Sequence, residues 1–392
     1  MRILEVSNYF KPSWETGGVT KVNYELSEGL VEKGHEVSVY TTDGYTSRLD
    51  VPKNKPIYVD GIRVYYFYNL FRSLVKKMKF PTPYYAPFIL RKEIKNFDII
   101  HIHEHRTLLA AFVRHYAMKY DVPYIVQAHG SVLPSFQKQM FKHLFDFFFG
   151  DRILKNATKL IALNESEVSQ YEDMGIKRDN VEIVANGIKT DEFQNIPPKG
   201  TFRKKFSIND FDSIILYVGR IHKNKGLDLL VDSFSDLLNE KPDSKLVFVG
   251  PDNGFSEELG QLVEKLKITD KVLFAGFVSK EEKMAALVDS DLFVTPSFTG
   301  FPVSFLEACF FSLPIVTTKK GDNLSWIHEN IGYVVNDDKR NLCDAMLKLL
   351  DDDSLRVRFG TNGKKLIETC FSMEAFIVRI ESVYSEASKN AV

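Results

Sequence analysis

Residues 216–231, LYVGRIHKNKGLDLLV, set an apolar run against a cluster of cations, with a glycine on either side. Leu216–Val218 reads as the end of a strand. Gly219 lets the backbone turn, and Gly226 opens a segment with helical apolar spacing. Between the glycines stand Arg220, His222, Lys223 and Lys225. A helix start offers free N–H groups and the positive end of its dipole, so it favours an anion. Arg supplies a planar fork for phosphate oxygens and Lys a compact point charge, which together suit a pyrophosphate. The plain alternative is a solvated basic loop. Any such site is local, because 51 Lys and Arg against 52 Asp and Glu leave a formal charge of −1. That balance gives no global basic field and argues against a nucleic-acid partner.

The same grammar continues outward. SIILYVG, KLVFVG, KVLFAG, LFVTPS and PIVTT read as strands, with helical segments GLDLLVDSFSDLLNE, SEELGQLVEKLK, SKEEKMAALVDS and VSFLEACFFS between them. Upstream, MRILEVSNYF, HEVSVYTT, GIRVYYFY, FDIIHIH, YIVQAHG, KLIALN and VEIVANG are strands, and VTKVNYELSEGLVEKG is a helix. Strands alternating with helices over short connections indicate parallel sheets. Asn164 followed by Glu167 predicts a capping box after KLIAL. At 392 residues two domains are expected. The periodicity stops at FQNIPPKGT, where Pro197, Pro198 and Gly200 mark a linker. The expected division is 1–195 and 196–371, with an amphipathic helix over about 372–392. The fold class is α/β: two Rossmann-like, doubly wound domains facing each other across a cleft, with ligands outside the carboxyl ends of the strands.

Cys309, Cys343 and Cys370 form no CxxC pair and no metal-type spacing, which fits a reducing compartment. The first residues lack a signal-peptide pattern, and no apolar run approaches the ~20 residues of a membrane helix. A cytoplasmic location is expected. The chain has neither G-x-G-x-x-G nor a P-loop, so side chains and helix ends must build any phosphate site.

Downstream, PSFTGFPVSFLEAC (296–309) resembles the E-x7-E segment of retaining glycosyltransferases. Together with VGRIHKNKGLDLL, VANGI, AHGS, TGGV and LFAGFVSKEE, in that family's order, the chain resembles family 4 of the GT-B fold. The resemblance implies transfer of a sugar from a nucleotide-diphosphate donor, UDP- or GDP-linked, to a hydroxyl of a glycan or lipid carrier. It gives Arg220 and Lys225 the donor pyrophosphate. Glu307 would hold the ribose hydroxyls, which suits a carboxylate accepting from two neighbours. Val278 would meet the base through its backbone, and His129 would stand near the donor sugar. Gly219 would bring backbone close to the donor, and the Gly17–Gly18 loop would bring it close to the donor's β-phosphate or to the acceptor. Thr299, Gly300, Phe301 and Val303 complete its sugar side.

One departure is plain: the first glutamate of the motif is Thr299 here, and the family's second glycine is Pro302, which has no N–H. The sequence identifies no pair of carboxylates for double displacement. The resemblance therefore implies a front-face route, with leaving-group stabilisation by Arg220 and Lys225 and no metal or other cofactor required. It also implies that the last helix packs back on the first domain. Two alternatives share the fold: a sugar-nucleotide 2-epimerase and a non-catalytic sugar-nucleotide-binding subunit.

In HIHEHR, His101, His103 and His105 alternate and would share one face if extended. Three imidazoles could hold zinc, yet no carboxylate or cysteine motif completes a set. The reading adopted is a strand end on the acceptor side, with His103, His105 and Arg106 as its residues. Two stretches, VYYFYNLFRSLVKKMKFPTPYYAPFILRK and SFQKQMFKHLFDFFFGDRILK, interleave aromatics with cations. They read first as core faces with solvated backs. Their second reading is a surface for peripheral contact with an anionic membrane.

Overall fold

The computed structural model describes residues 1–133, 139–298, 301–319 and 325–389. They fall into two units, Met1–Gly187 with Met373–Val392, and Ile188–Ser372. Among the described residues the first unit holds β1 (Arg2–Val6), β2 (Glu36–Thr42), β3 (Pro56–Val59), β4 (Ile62–Phe67), β5 (Ile99–His103), β6 (Tyr124–Gln127), β7 (Lys159–Ala162) and β8 (Val181–Ile183). They form one sheet in the order β3-β4-β2-β1-β5-β6-β7-β8. All its pairings are parallel except β3 with β4. The second unit holds β9 (Ser213–Val218), β10 (Ser244–Val249), β11 (Val272–Gly276), β12 (Leu292–Thr295), β13 (Ile315–Thr318) and β14 (Gly332–Val335). Their order is β11-β10-β9-β12-β13-β14, all parallel.

The apolar runs are continuous because both faces of each sheet are covered. In the first sheet Ile3, Val39, Ile99 and Ile125 face one core, while Leu4, Tyr40, Ile100 and Val126 face the other. That two-residue alternation is the pleat itself. β3 escapes the sequence reading: it is short, half-exposed and antiparallel. Pro56 is tolerated there because an edge strand can forgo a ladder donor.

The unit boundary lies at 187/188, ahead of the Pro-rich stretch. Ile188 donates its N–H to the Phe371 carbonyl at 2.8 Å, and Phe193 packs on Phe310 at 4.7 Å. Residues from Ile188 onward are thereby built into the second unit. The C-terminal helix Met373–Lys389 belongs to the first, where Phe376, Ile377, Ile380 and Tyr384 join the core of β1. Each fully buried apolar side chain of this kind contributes about 1.5–3 kcal/mol. The partly exposed ion pairs flanking it, such as Lys33–Glu381 at 3.4 Å, add far less.

In each sheet the strand order reverses beside the first strand of its unit. Going from β9, the chain runs out through β10 and β11, then returns to β12 on the other side. β1 stands likewise between β2 and β5. Such switch points leave a crevice outside the strand ends.

Candidate functional site

The cationic stretch emerges from the carboxyl end of β9, at the switch point. Gly219 leaves room for the Tyr217 side chain: a Cβ there would stand 2.8 Å from its hydroxyl. That hydroxyl donates to the Arg220 carbonyl at 2.9 Å and pins the loop. The next strand end closes on it, since a Cβ on Gly250 would lie 2.0 Å from the Gly219 carbonyl oxygen. Gly226, at φ 65°, starts the helix Leu227–Leu237. The loop after β12 docks alongside, with Ser297 N–H donating to the Lys225 carbonyl at 3.2 Å. Loops from two strands thus hold the backbone that carries the cations.

Arg220 is exposed and Lys225 half-buried, and neither has an ion-pair partner among the described residues. Burial holds the Lys225 ammonium below its ordinary pKa, and the Arg220 charge adds to the effect. Two uncompensated cations that feel each other make a site in need of an anion. Lys223, by contrast, is tied to Glu258 at 3.0 Å.

Glu307 lies on the helix Val303–Phe310 and is buried, accepting from Lys283 Nζ at 2.7 Å. Lys283 comes from Lys280–Asp289, the helix after β11, whose Ser279–Glu282 capping box fixes its start. Val278 is half-buried just before that cap. Val303 opens its helix, where N–H groups have no intrahelical acceptor. Phe301 has a packing role as well: its ring meets Trp326 at 5.6 Å and Phe371 at 5.4 Å. Thr299 and Gly300 lie outside the described residues.

In the first unit Gly17 and Gly18 are exposed at the start of the helix Gly18–Glu32. Gly17 takes φ 103°, a region that suits glycine, and nothing lies within 4 Å of where its Cβ would be. His129 follows β6 at φ 53°, unusual for a non-glycine residue and a strain of about 1–3 kcal/mol. Glu167 holds that turn, accepting from Gly130 N–H and Leu163 N–H at 2.6 Å each. The capping box expected at Asn164 is therefore half formed. Asn164 accepts from Glu167 N–H at 2.9 Å, while the Glu167 carboxylate anchors the histidine loop.

HIHEHR does not stay extended. β5 ends at His103, and Glu104 at φ 69° turns the chain. The rings of His101 and His103 lie 4.1 Å apart, tilted by 32°, but His105 departs toward Asp146, 3.9 Å away. Arg106 is a staple: it donates to Asp146 at 2.8 Å and to the Val132 carbonyl at 2.7 Å. His105 is fully buried, so neither it nor the paired Arg106 is displayed as an open acceptor contact. The carboxylate that joins the histidines is Glu5, from β1. Glu5, His101 and His103 bring one ligand atom each within 4.8 Å of one another. Those atoms already hydrogen-bond within the cluster, to Tyr384 and to His129, and no metal is assigned to them.

Four residues of the site region escaped the sequence reading. Lys283, Glu5 and Tyr384 reach their partners only through the fold, at separations of 24, 98 and 379 residues. Glu104 had a local signal, a carboxylate next to a strand end, and burial raises its pKa to about 7.

Comparison with known proteins agrees with this layout. The Glycosyltransferase Family 4 model matches residues 16–192, and the Glycosyl transferases group 1 model matches 198–366. An uncharacterised glycosyltransferase of Methanocaldococcus jannaschii is 26% identical over 96% of this chain and 97% of its own. The N-acetyl-alpha-D-glucosaminyl L-malate synthase of Bacillus anthracis is 24% identical, over 95% of each chain. Among solved structures, Anabaena HepE in complex with UDP and glucose superposes with a TM-score of 0.75 at 14% identity, over 98% of this chain and 100% of that one. With both family models matching in order along most of its length, the chain belongs to glycosyltransferase family 4 and is a glycosyltransferase of the GT-B fold.

Proposed function

We propose that the protein transfers a sugar, with retention, from a nucleoside-diphosphate donor to a hydroxyl of a glycan or lipid-linked acceptor. The observation that carries this reading is Arg220, with no ion-pair partner among the described residues, beside half-buried Lys225 at the switch point of the second sheet. The bond between the anomeric carbon and the diphosphate oxygen breaks while the acceptor oxygen attacks from the same face. The acceptor proton passes to the departing phosphate oxygen. Arg220 and Lys225 neutralise the charge that develops there, the strongest stabilisation open to such a site. Glu307, paired with Lys283, accepts from the ribose hydroxyls. By the family resemblance, Val278 offers backbone to the base and His129 serves the transferred sugar. With two cations on the diphosphate, no metal is required. The UDP named with HepE and the sugar-transferring relatives support a nucleotide-sugar donor.

A thermal-shift panel of UDP-, GDP- and ADP-sugars tests the reading, with and without a chelator. Donor at a few hundred times its Kd stabilises by about 3–4 kcal/mol. No shift with any donor, or one that the chelator abolishes, contradicts it. The threonine at 299, where the E-x7-E motif has its first glutamate, favours a second reading as a binding subunit. Slow release of nucleoside diphosphate from the stabilising donor distinguishes the transferase.

The acceptor side carries a proposal of its own. Phe88, Phe147 and Phe148 are exposed, at 59%, 74% and 53%. Arg91, Lys92 and Lys95 lie on or just after the helix that carries Phe88. Aromatics beside cations suit the surface of an anionic bilayer on its cytoplasmic side, where a lipid-linked acceptor would be met. No helix among the described residues is long and apolar enough to cross a membrane. Flotation with phosphatidylglycerol vesicles at low salt, lost with F88S/F147S, is the expected result. Failure to float at any salt contradicts it.

A further inference from the structure

His129 is wired to a buried carboxylate. Its Nε2 lies 2.9 Å from His103 Nδ1, and His103 Nε2 lies 2.7 Å from Glu5 Oε2. The other Glu5 oxygen, Oε1, accepts from the Tyr384 hydroxyl at 2.7 Å, and that hydroxyl is 2.9 Å from His101 Nδ1. Glu5, His101, His103 and Tyr384 are buried, whereas His129 is half-buried and its Nδ1 makes no hydrogen bond among the described residues. We propose that Glu5, His103 and Tyr384 are positioning residues that fix the tautomer of His129, so that protonation of Glu5 converts His129 Nδ1 from an acceptor into a donor.

Along the chain from Glu5 through His103 to His129, the hydrogen bonds allow two arrangements that differ by one proton. With Glu5 ionised, His103 donates from Nε2 to the carboxylate and must accept at Nδ1, so His129 donates from Nε2 and keeps a lone pair on Nδ1. A proton entering at His129 Nδ1 displaces the Nε2 proton onto His103 Nδ1. His103 in turn passes its Nε2 proton to Glu5 Oε2. Every imidazole is again neutral, Glu5 is a neutral acid, and His129 Nδ1 now carries a hydrogen. The charge change falls on Glu5 because burial favours a neutral carboxyl and disfavours an imidazolium beside other imidazoles. In line with this, burial raises Glu5 to about 8, against the lowering effect of the Tyr384 hydrogen bond, and lowers His103 to about 3. Burial and His103 both hold His129 well below its ordinary value. The groups facing Glu5 are His101 and His103 from β5, with His129 behind them, and Tyr384 from the C-terminal helix. The helix Gly18–Glu32 meets β1's neighbour Ser7 with the neutral Asn23, at 2.8 Å.

The consequence for sugar binding rests on placing His129 at the donor sugar; the tautomer itself does not. Long-range 15N–1H correlation on the full, ligand-free protein between pH 6.5 and 9.5 reads it directly. The wild type should pass from an Nδ1–H to an Nε2–H form of His129 as pH rises, in one step centred near 8, with no imidazolium. Tyr384→Phe removes a donor to the carboxylate and should move that step to higher pH. Glu5→Gln should abolish it. A single tautomer throughout, an imidazolium titrating near 6.5, or an unmoved step in Tyr384→Phe overturns the proposal. His129→Ala that leaves turnover unchanged would remove His129 from the sugar site without touching the relay.

Discussion

On the proposed mechanism, replacing Arg220 or Lys225 with alanine removes charge at the leaving group, so the loss should appear in kcat as well as in donor binding. Each single change should lower kcat about 100- to 1000-fold, the range for one oxyanion-stabilising donor. The double variant should fall short of the product of the two, because the cations act on one diphosphate. Single-turnover rates with saturating donor check this. Glu307→Gln should instead weaken nucleotide binding, about tenfold in Kd, since its role is in the ground state as well; titration with the nucleoside diphosphate measures it. Arg220 and Lys225 were legible in the sequence because one loop holds both between two glycines. Lys283, the ion-pair partner of Glu307, was not, because its approach depends on two helices meeting. Arg106 was legible only as a cation; its ties to Asp146 and Val132 come from a segment 26–40 residues away.

At the scale of elements, the glycine-terminated strand ends are structural before they are functional. Gly250→Ala would drive a methyl group to within 2.0 Å of the Gly219 carbonyl, a backbone atom that cannot rotate away. A loss of at least about 2 kcal/mol is expected, together with weaker diphosphate binding as the cationic loop shifts. Gly254→Ala, with nothing within 4 Å but φ 84°, should cost only about 1 kcal/mol and spare binding. Denaturant melts of the two variants make the comparison. The strands that were legible, such as β1, β9 and β10, are continuous apolar runs ended by turn residues. β3 and β14 were missed: the first is half-exposed and antiparallel, and the second opens on Gly332 and leaves its last two residues half-buried. The helices Lys339–Asp351 and Asp353–Thr369 also passed unread, although Asp338 and Asp352 cap them. Chain order alone could not reveal the pairing of β9 with β12, which creates the crevice.

Across the whole molecule, buried titrating groups set how stability responds to pH. His101, His103, His105 and His129 are all held neutral by burial, below their ordinary value of 6.5. The unfolded chain then binds more protons than the folded one below about pH 6.5, so stability should fall as pH drops from there. Glu5 and Glu104, raised by burial, act in the opposite sense, and stability should also decline as pH climbs from about 4.5 toward 8. Four histidines against two carboxyls give a net loss on the acid side, with a lower Tm at pH 5 than at pH 6.5. A Tm that rises on acidification contradicts this. The two-unit organisation was legible from the restart of the strand–helix grammar. The boundary was misplaced by eight residues because Ile188 and Phe193 are fixed by partners more than 100 positions onward. The central claim, that Arg220 and Lys225 grip a nucleoside diphosphate, is most directly tested by calorimetric titration of the full chain with UDP, GDP and ADP, beside R220A/K225A of unchanged Tm. At least one nucleotide should bind the wild type and bind the double variant at least 100-fold more weakly. Equal affinity for both proteins, or no binding of any diphosphate to the wild type, would contradict the account.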